Sequence, residues 1–155
     1  INIKTYSIHV KNDNLEDLFK DVDIIIDTTG DTAMRKKLHQ FARRTNKPII
    51  SFFWGSWEGQ VVAFMPKDPL YTDVFTYSAP SVEDFLYRPP NWNRTVDTIG
   101  LNMLSTLVAR TALLILIGDK KNVVTYPNLF AVNFSRKCPV MVRNIIPMKK
   151  RNENK

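Results

Sequence analysis

The sequence has little of the side-chain chemistry that metals and nucleophilic catalysis require. Its 155 residues include one cysteine, Cys138, and two histidines, His9 and His39. A single cysteine excludes an internal disulfide framework and a cysteine-rich zinc site. Neither histidine has a recognisable partner, and no Ser/His/Asp arrangement can be proposed. Cys138 stands beside Pro139 with no histidine near it, so we interpret it as inert rather than catalytic.

Glycine is also scarce, with five residues in the chain. The sequence has no Gly-x-Gly-x-x-Gly turn of the kind that lets a backbone approach a phosphate. A basic start followed by a long apolar run is absent as well, so we expect no signal peptide and a soluble, cytoplasmic protein. The chain has no initiator methionine and opens inside a strand-like run. We therefore interpret it as a fragment of a longer protein.

Positive charge is concentrated at the end of the chain. Residues 136–155 hold seven Lys and Arg residues and one Glu, and so carry +6 of the net charge of +7. We separate them as a basic C-terminal segment that follows a domain over 1–135. A solvated terminus is the favoured interpretation, and nucleic-acid binding is the alternative. No aromatic residue follows Phe134, which argues against a stacking platform for single strands.

The first half of the chain predicts a mixed sheet. A wholly apolar run ends at Asp27, and a helix capped by Asp31 and a second apolar run follow it. The turn after the second run is short, so the next strand returns as a hairpin. The predicted elements are strands over Ile1–Val10, Asp23–Asp27, Ile49–Trp54 and Gln60–Met65, with helices over Asn14–Phe19 and Asp31–Asn46.

The second half predicts a long loop, a long helix and two closing strands. Lys67–Val96 contains four prolines and no clear period, so we expect a crossover loop. A helix then runs from Asp97 or Thr98 to Ile117 and ends at Gly118. It is apolar enough to suggest a membrane span, but Asn102 and Arg110 disfavour one, and we interpret it as a core helix. The closing strands are Val123–Tyr126 and Leu129–Phe134.

Two blocks of sequence carry a family resemblance. The first is Asp27-Thr28-Thr29-Gly30-Asp31-Thr32-Ala33-Met34-Arg35, and the second is Glu58-Gly59-Gln60-Val61-Val62-Ala63-Phe64-Met65-Pro66. They resemble the Asp-x-Thr-Asp-Asn block with its following Arg, and the Gly-Gln-Val-x-x-Phe-x-Pro hairpin, of the ThiF/MoeB/HesA family of ubiquitin-activating-enzyme-like adenylyltransferases. The resemblance implies an α/β fold, a Rossmann-like mixed sheet with flanking helices that forms the second half of a ThiF-type adenylation fold.

The function implied by this resemblance is ATP-dependent adenylation of the C-terminal glycine of a ubiquitin-like or sulfur-carrier protein. ATP and Mg²⁺ are the expected cofactors of the complete protein. The Gly-rich half of the family's domain is absent, so we expect this chain alone to bind ATP poorly. The resemblance and the long helix also suggest a homo-oligomer, and we expect neither nucleic acid nor membrane as a partner.

The sequence departs from the family at two places. Gly30 stands where the family has its metal-binding Asp, and Asp31 follows it. Asp31 either supplies the carboxylate to the metal or serves only as the helix N-cap. The crossover loop has no cysteine, whereas relatives that form a thioester usually carry one there. Both departures allow a second interpretation, a non-catalytic binding module that has lost the metal-binding acid.

The candidate site lies in the first block. The resemblance implies a cofactor-binding role for Asp27, Thr29, Gly30, Asp31 and Arg35, with Asp31 as the metal ligand and no catalytic residue assigned. From the residues alone, each has a structural alternative. Asp27 is then a strand-end acid bonded to backbone N–H groups, Thr29 a turn residue, and Arg35 an exposed or Asp-paired helix residue. Glu58 is interpreted as a turn residue, and Trp54 and Trp57 as core or pocket residues.

Overall fold

The computed structural model describes residues 2–55, 58–75, 98–133 and 140–145. A 3₁₀ turn at Asn12–Asn14 leads into the first helix. The helices are α1 (Leu15–Phe19), α2 (Thr32–Arg44), α3 (Tyr71–Val74) and α4 (Thr98–Leu116). The strands are β1 (Ile25–Asp27), β2 (Ile49–Gly55), β3 (Glu58–Phe64), β4 (Asn128–Asn133) and β5 (Val140–Asn144).

The five strands form one mixed sheet in the order β1-β2-β3-β4-β5. β1 and β2 are parallel, with Asp27 opposite Ser51, and α2 provides the crossover that a parallel pair needs. The remaining neighbours are antiparallel. β2 and β3 form a hairpin that pairs Ile49 with Phe64 and Gly55 with Glu58. The prediction of an α/β fold with a mixed sheet and flanking helices is confirmed.

The sheet separates two apolar layers, because successive side chains of a strand point to opposite faces. Helices α1, α2 and α3 cover one face, and α4 covers the other. The first layer contains Leu38, Phe41, Ile49, Val62 and Phe64, and the second contains Ile50, Val61, Ala63, Leu104 and Val108. Both faces of β2 and β3 are therefore buried, which explains their almost continuous apolar sequence.

Helix α4 packs on the sheet along one side only. Leu104 and Val108 are buried there with Ala112. The opposite side exposes Leu113 and Leu116. By length and composition the helix could also cross a membrane, with a mean hydropathy of 1.7. The prediction of a core helix is confirmed for the side that faces the sheet, and the helix ends before Gly118, whose φ of +74° favours glycine.

Two predicted strands are wrong. Residues 2–10 are not a strand, and Ile3, Tyr6 and Ile8 are exposed. Alternating apolar residues form a strand only beside another strand, and no described strand pairs with this segment. Residues 123–126 are also irregular. The Tyr126 N–H donates to the Ala63 carbonyl of β3 at 2.8 Å, but the following proline cannot donate.

The sheet continues into the basic segment that the sequence analysis separates from the domain. β5 pairs with β4 from Asn128 opposite Asn144 to Val132 opposite Val140. The exposed side chains of Val142 and Arg143 give this strand no clear apolar alternation. Its pairing, and not its composition, defines it as a strand. Of residues 136–155, the structure describes 140–145, and these belong to the sheet and its end.

Candidate functional site

The candidate site is the turn between β1 and α2, which follows the carboxyl end of a parallel strand. Ligands of open α/β sheets bind at such turns. Thr28, Thr29 and Gly30 are exposed. Gly30 has a φ of +67°, a conformation that any side chain would strain although a Cβ there would meet nothing within 4 Å. The sequence thus provides a left-handed residue between the strand and the helix.

Asp31 is the N-cap of α2. Its Oδ1 accepts hydrogen bonds from the backbone N–H groups of Ala33 at 2.8 Å and Met34 at 3.1 Å. These are two of the donors that the first turn of any helix leaves unpaired. The predicted capping role is therefore seen directly. Within the described part of the chain, Oδ2 of Asp31 has no hydrogen-bond partner, so one carboxylate oxygen remains for a cation.

Asp27 is the centre of the site, at 1% exposure. Its Oδ1 accepts the backbone N–H of Thr29 at 2.9 Å and the hydroxyl of Thr29 at 2.7 Å. Its Oδ2 accepts Arg35 Nε at 2.5 Å and lies 3.4 Å from Ser51 Oγ. Burial raises the pKa of Asp27, but the charge and hydrogen bond of Arg35 and the two hydrogen bonds from Thr29 lower it below its ordinary value. Asp27 is therefore an ionised, fully bonded carboxylate.

Arg35 is paired with Asp27 and buried at 5% exposure. Its Nη2 donates to the Phe52 carbonyl of β2 at 3.3 Å. The guanidinium also lies 5.0 Å from the ring centre of Tyr71, in α3. Of the alternatives left open by the sequence, the structure shows the Asp-paired helix residue. Of the predicted crossover loop the structure describes residues 67–75, and Tyr71 among them contacts the guanidinium.

His39 and Ser51 complete the polar cluster, and sequence reasoning assigned neither of them a role. His39 follows Arg35 by four residues and so lies on the same face of α2. Its Nε2 is 2.9 Å from Ser51 Oγ, and its ring packs against Phe64 and Tyr71. Burial lowers the pKa of His39 to about 4, with Asp27 raising it and Arg35 lowering it. The available signal was the spacing of two polar residues on the buried face of a helix.

The structure brings Thr29 and Arg35 into direct contact with Asp27, and Gly30 and Asp31 follow in the same turn. Among the described residues, no group of three or more His, Cys, Asp or Glu side chains could hold a metal ion alone. One free carboxylate oxygen still suits Mg²⁺, which commonly takes one or two carboxylates together with substrate phosphates. Trp57, Cys138 and the side chains of Trp54 and Glu58 lie outside the described part of the chain.

Comparison with known families decides the relationship. The sequence profile of the ThiF family matches residues 1–154. The chain belongs to the ThiF family. The predicted resemblance is thereby confirmed over almost the entire chain, including β5 and most of the basic segment.

Individual relatives support the same placement. The chain is 31% identical over 64 residues to the adenylyltransferase and sulfurtransferase UBA4 of Kluyveromyces lactis. These 64 residues are 41% of this chain and 14% of UBA4. Crystal structures of Escherichia coli MccB share the fold. MccB with MccA has a TM-score of 0.63 at 12% identity, over 93% of this chain and 43% of MccB. MccB with ATP has a TM-score of 0.60 at 14% identity, over 89% of this chain and 41% of MccB.

The chain spans less than half of each of these relatives. It corresponds to part of their length and shares its mixed-sheet fold with that part. MccB therefore contains further structure that has no counterpart in this chain.

Proposed function

We propose that this chain forms the second half of an adenylyltransferase domain that uses ATP to activate the C-terminal glycine of a ubiquitin-like or sulfur-carrier protein. The observation that carries the proposal is the exposed turn after β1, built on a buried Asp27 in a chain of the ThiF family. The UBA4 name gives adenylyltransferase activity to one relative. The MccB structures contain MccA or ATP.

In this proposal, the carboxylate of the carrier attacks the α-phosphorus of ATP, forms a P–O bond and releases pyrophosphate. The backbone N–H of Gly30, in the exposed turn, donates to no described residue and would be available to a phosphate. Oδ2 of Asp31 would hold Mg²⁺, which would neutralise triphosphate charge. Asp27, Thr29 and Arg35 keep the turn in place. The other half of the crevice, including the Gly-rich turn, comes from structure outside this chain.

The assay for this function is carrier-dependent exchange of labelled pyrophosphate into ATP by the whole protein that contains this chain. The carrier is a small protein that ends in glycine. Exchange that requires both the carrier and Mg²⁺ supports the proposal. Absence of exchange, with ATP and carrier both shown to bind, contradicts it.

The second candidate function is a non-catalytic binding module. Two observations favour it: Gly30 replaces the family's acid, and Asp31 already uses one oxygen as a helix cap. Such a module keeps the β2–β3 hairpin and the crossover loop for a protein partner. It predicts carrier binding without pyrophosphate exchange. A homo-oligomer formed through the exposed side of α4 is compatible with either function.

A further inference from the structure

A second pair of polar side chains lies behind Asp27, away from the exposed turn. Ser51 is fully buried in β2, and His39 is 3% exposed in α2. Ser51 is the parallel-strand partner of Asp27. Its Oγ lies between His39 Nε2, at 2.9 Å, and Asp27 Oδ2, at 3.4 Å. Buried polar atoms this close to one another need a consistent set of hydrogen bonds.

Two arrangements of hydrogen atoms are possible, because a serine hydroxyl donates one hydrogen bond. In the first, His39 Nε2–H donates to Ser51 Oγ, and the Ser51 hydroxyl donates to Asp27 Oδ2. In the second, Ser51 donates to an unprotonated Nε2, and His39 then carries its hydrogen on Nδ1. No described residue accepts a hydrogen bond from Nδ1, so the second arrangement buries an unpaired donor. The first arrangement also gives the buried carboxylate an additional donor.

We propose that His39 and Ser51 are positioning residues that orient Asp27 through the chain Nε2–H to Oγ–H to Oδ2. Oδ1 of the same carboxylate accepts hydrogen bonds from the N–H and the hydroxyl of Thr29. The hydroxyl of Thr29 accepts the Asp31 N–H at 3.3 Å. The chain of hydrogen bonds therefore extends from the core to the N-cap of α2.

The geometry explains why removal of one member alters the turn. Asp27 receives donors on both oxygens, and the Arg35 and Ser51 donors lie on the side away from Thr29. Without Ser51 Oγ, Oδ2 keeps Arg35 alone, and the carboxylate can rotate about its χ2 angle, which has a broad preference. Rotation moves Oδ1 relative to both Thr29 donors. That the turn faces a nucleotide rests on the proposed function, whereas the orientation of Asp27 does not.

The first measurement uses the unmodified chain and imidazole ¹⁵N chemical shifts at pH 7. The chain has two histidines, so the spectrum of His39→Gln assigns both. We expect His39 to be neutral with its hydrogen on Nε2. A hydrogen on Nδ1 would overturn the proposal, whatever any variant does.

The second measurement compares hydrogen exchange and chemical shift of the Thr29 amide in three variants. Ser51→Ala and His39→Leu break the chain of hydrogen bonds, and His39→Gln keeps an N–H donor near the position of Nε2. We expect exchange at Thr29 to rise about tenfold in the first two, the effect of one lost hydrogen bond, and to recover in the third.

Thr111→Val is the matched control. Thr111 is fully buried, and its hydroxyl donates to the Leu107 carbonyl at 2.7 Å within α4, on the opposite face of the sheet. The Thr111→Val substitution should leave the hydrogen exchange and chemical shift of the Thr29 amide unchanged. Equal acceleration in Thr111→Val and Ser51→Ala would show general loosening and contradict the proposal. Neither measurement depends on pyrophosphate exchange, so failure of the proposed function and failure of this chain of hydrogen bonds are distinguishable.

Discussion

Arg35 carries the charge that allows Asp27 to remain ionised inside the protein. Its removal leaves a buried carboxylate without its cation. We predict that Arg35→Met lowers the free energy of unfolding by about 3–5 kcal/mol, the usual cost of breaking a buried ion pair. Urea denaturation at pH 7 measures the loss.

Arg44→Met is the control for that prediction. Arg44 also pairs with an acid, Glu16, at 2.9 Å, but both side chains are more than half exposed. An exposed pair contributes at most about 1 kcal/mol. Equal losses in the two variants would mean that burial of the Asp27–Arg35 pair has no energetic consequence.

His39 gives stability a pH dependence of its own. The folded imidazole binds a proton only near pH 4, whereas its ordinary pKa is 6.5. The unfolded chain therefore binds more protons between these values, and stability falls as pH falls through this window. We predict a slope approaching about 1.4 kcal/mol per pH unit midway between the two pKa values, which fades as pH rises above 6.5 or falls below 4.

Urea denaturation from pH 8 to pH 4.5 tests this slope against His39→Gln, which cannot titrate. The pKa of Asp27 lies below its ordinary 3.8, so its contribution is lost only at pH values below this range. The difference between the two chains isolates the imidazole. Parallel pH profiles would show that His39 does not titrate as its burial predicts.

Asp31 has two candidate roles that different substitutions separate. Asn keeps a side-chain oxygen for the helix cap and removes the charge, whereas Ala removes both. We predict that Asp31→Ala costs about 1 kcal/mol and Asp31→Asn much less, as judged by thermal unfolding. In the whole protein, both should weaken Mg²⁺-dependent ATP binding in isothermal titration. Unchanged ATP binding in both would remove Asp31 from the metal site.

The sequence predicted those residues whose partners are local and missed those whose partners are distant. Asp31 bonds to residues two and three positions away, so a capping pattern reveals it. Arg35 and Asp27 are eight positions apart, and the sequence leaves open an Asp-paired arginine without indicating which aspartate is its partner. His39 and Ser51 are twelve apart. Their contact depends on the packing of α2 against β2, which no local pattern specifies.

The same distinction holds for helices and strands. α2 and α4 carry their own signals, an acidic cap in one and a left-handed glycine after the other. The β2–β3 hairpin follows from its short turn. Residues 2–10 and β5 show the opposite case, because strand formation depends on a neighbour and not on composition. The predicted strand was found irregular, and a segment interpreted as a tail was found in the sheet.

Helix α4 provides a prediction at the level of the element. Leu104 has 0% exposure against the sheet, and Leu113, on the other side, has 59%. We predict that Leu104→Ala lowers the free energy of unfolding by about 2–5 kcal/mol through lost burial and a residual cavity. Leu113→Ala, with the same change in composition, should cost much less. Comparable losses of unfolding free energy in the two variants would mean that the Leu104 side of α4 is not its buried side.

At the scale of the whole molecule, three of the described helices cover one face of the sheet, and α4 is the described helix on the other face. The turn after β1 and the exposed side of α4 therefore lie on different parts of the molecule: the turn leads into α2, whereas α4 packs across β2, β3 and β4. A partner could cover α4 without contact with the candidate site. This separation lets self-association and nucleotide chemistry be tested independently.

The exposed side of α4 is the proposed surface for a homo-oligomer. Leu113 and Leu116 are three positions apart and 59% and 55% exposed, so they share one side of the helix. A homodimer interface buries apolar side chains and excludes charge from its core. We predict that Leu113→Glu with Leu116→Glu converts an oligomer into a monomer in sedimentation equilibrium. As a control, Gln40→Glu with Lys36→Glu, at exposed positions of α2, should leave the oligomer intact. A monomer before any substitution would contradict the proposal, and an oligomer that survives the α4 change would place its interface on another surface.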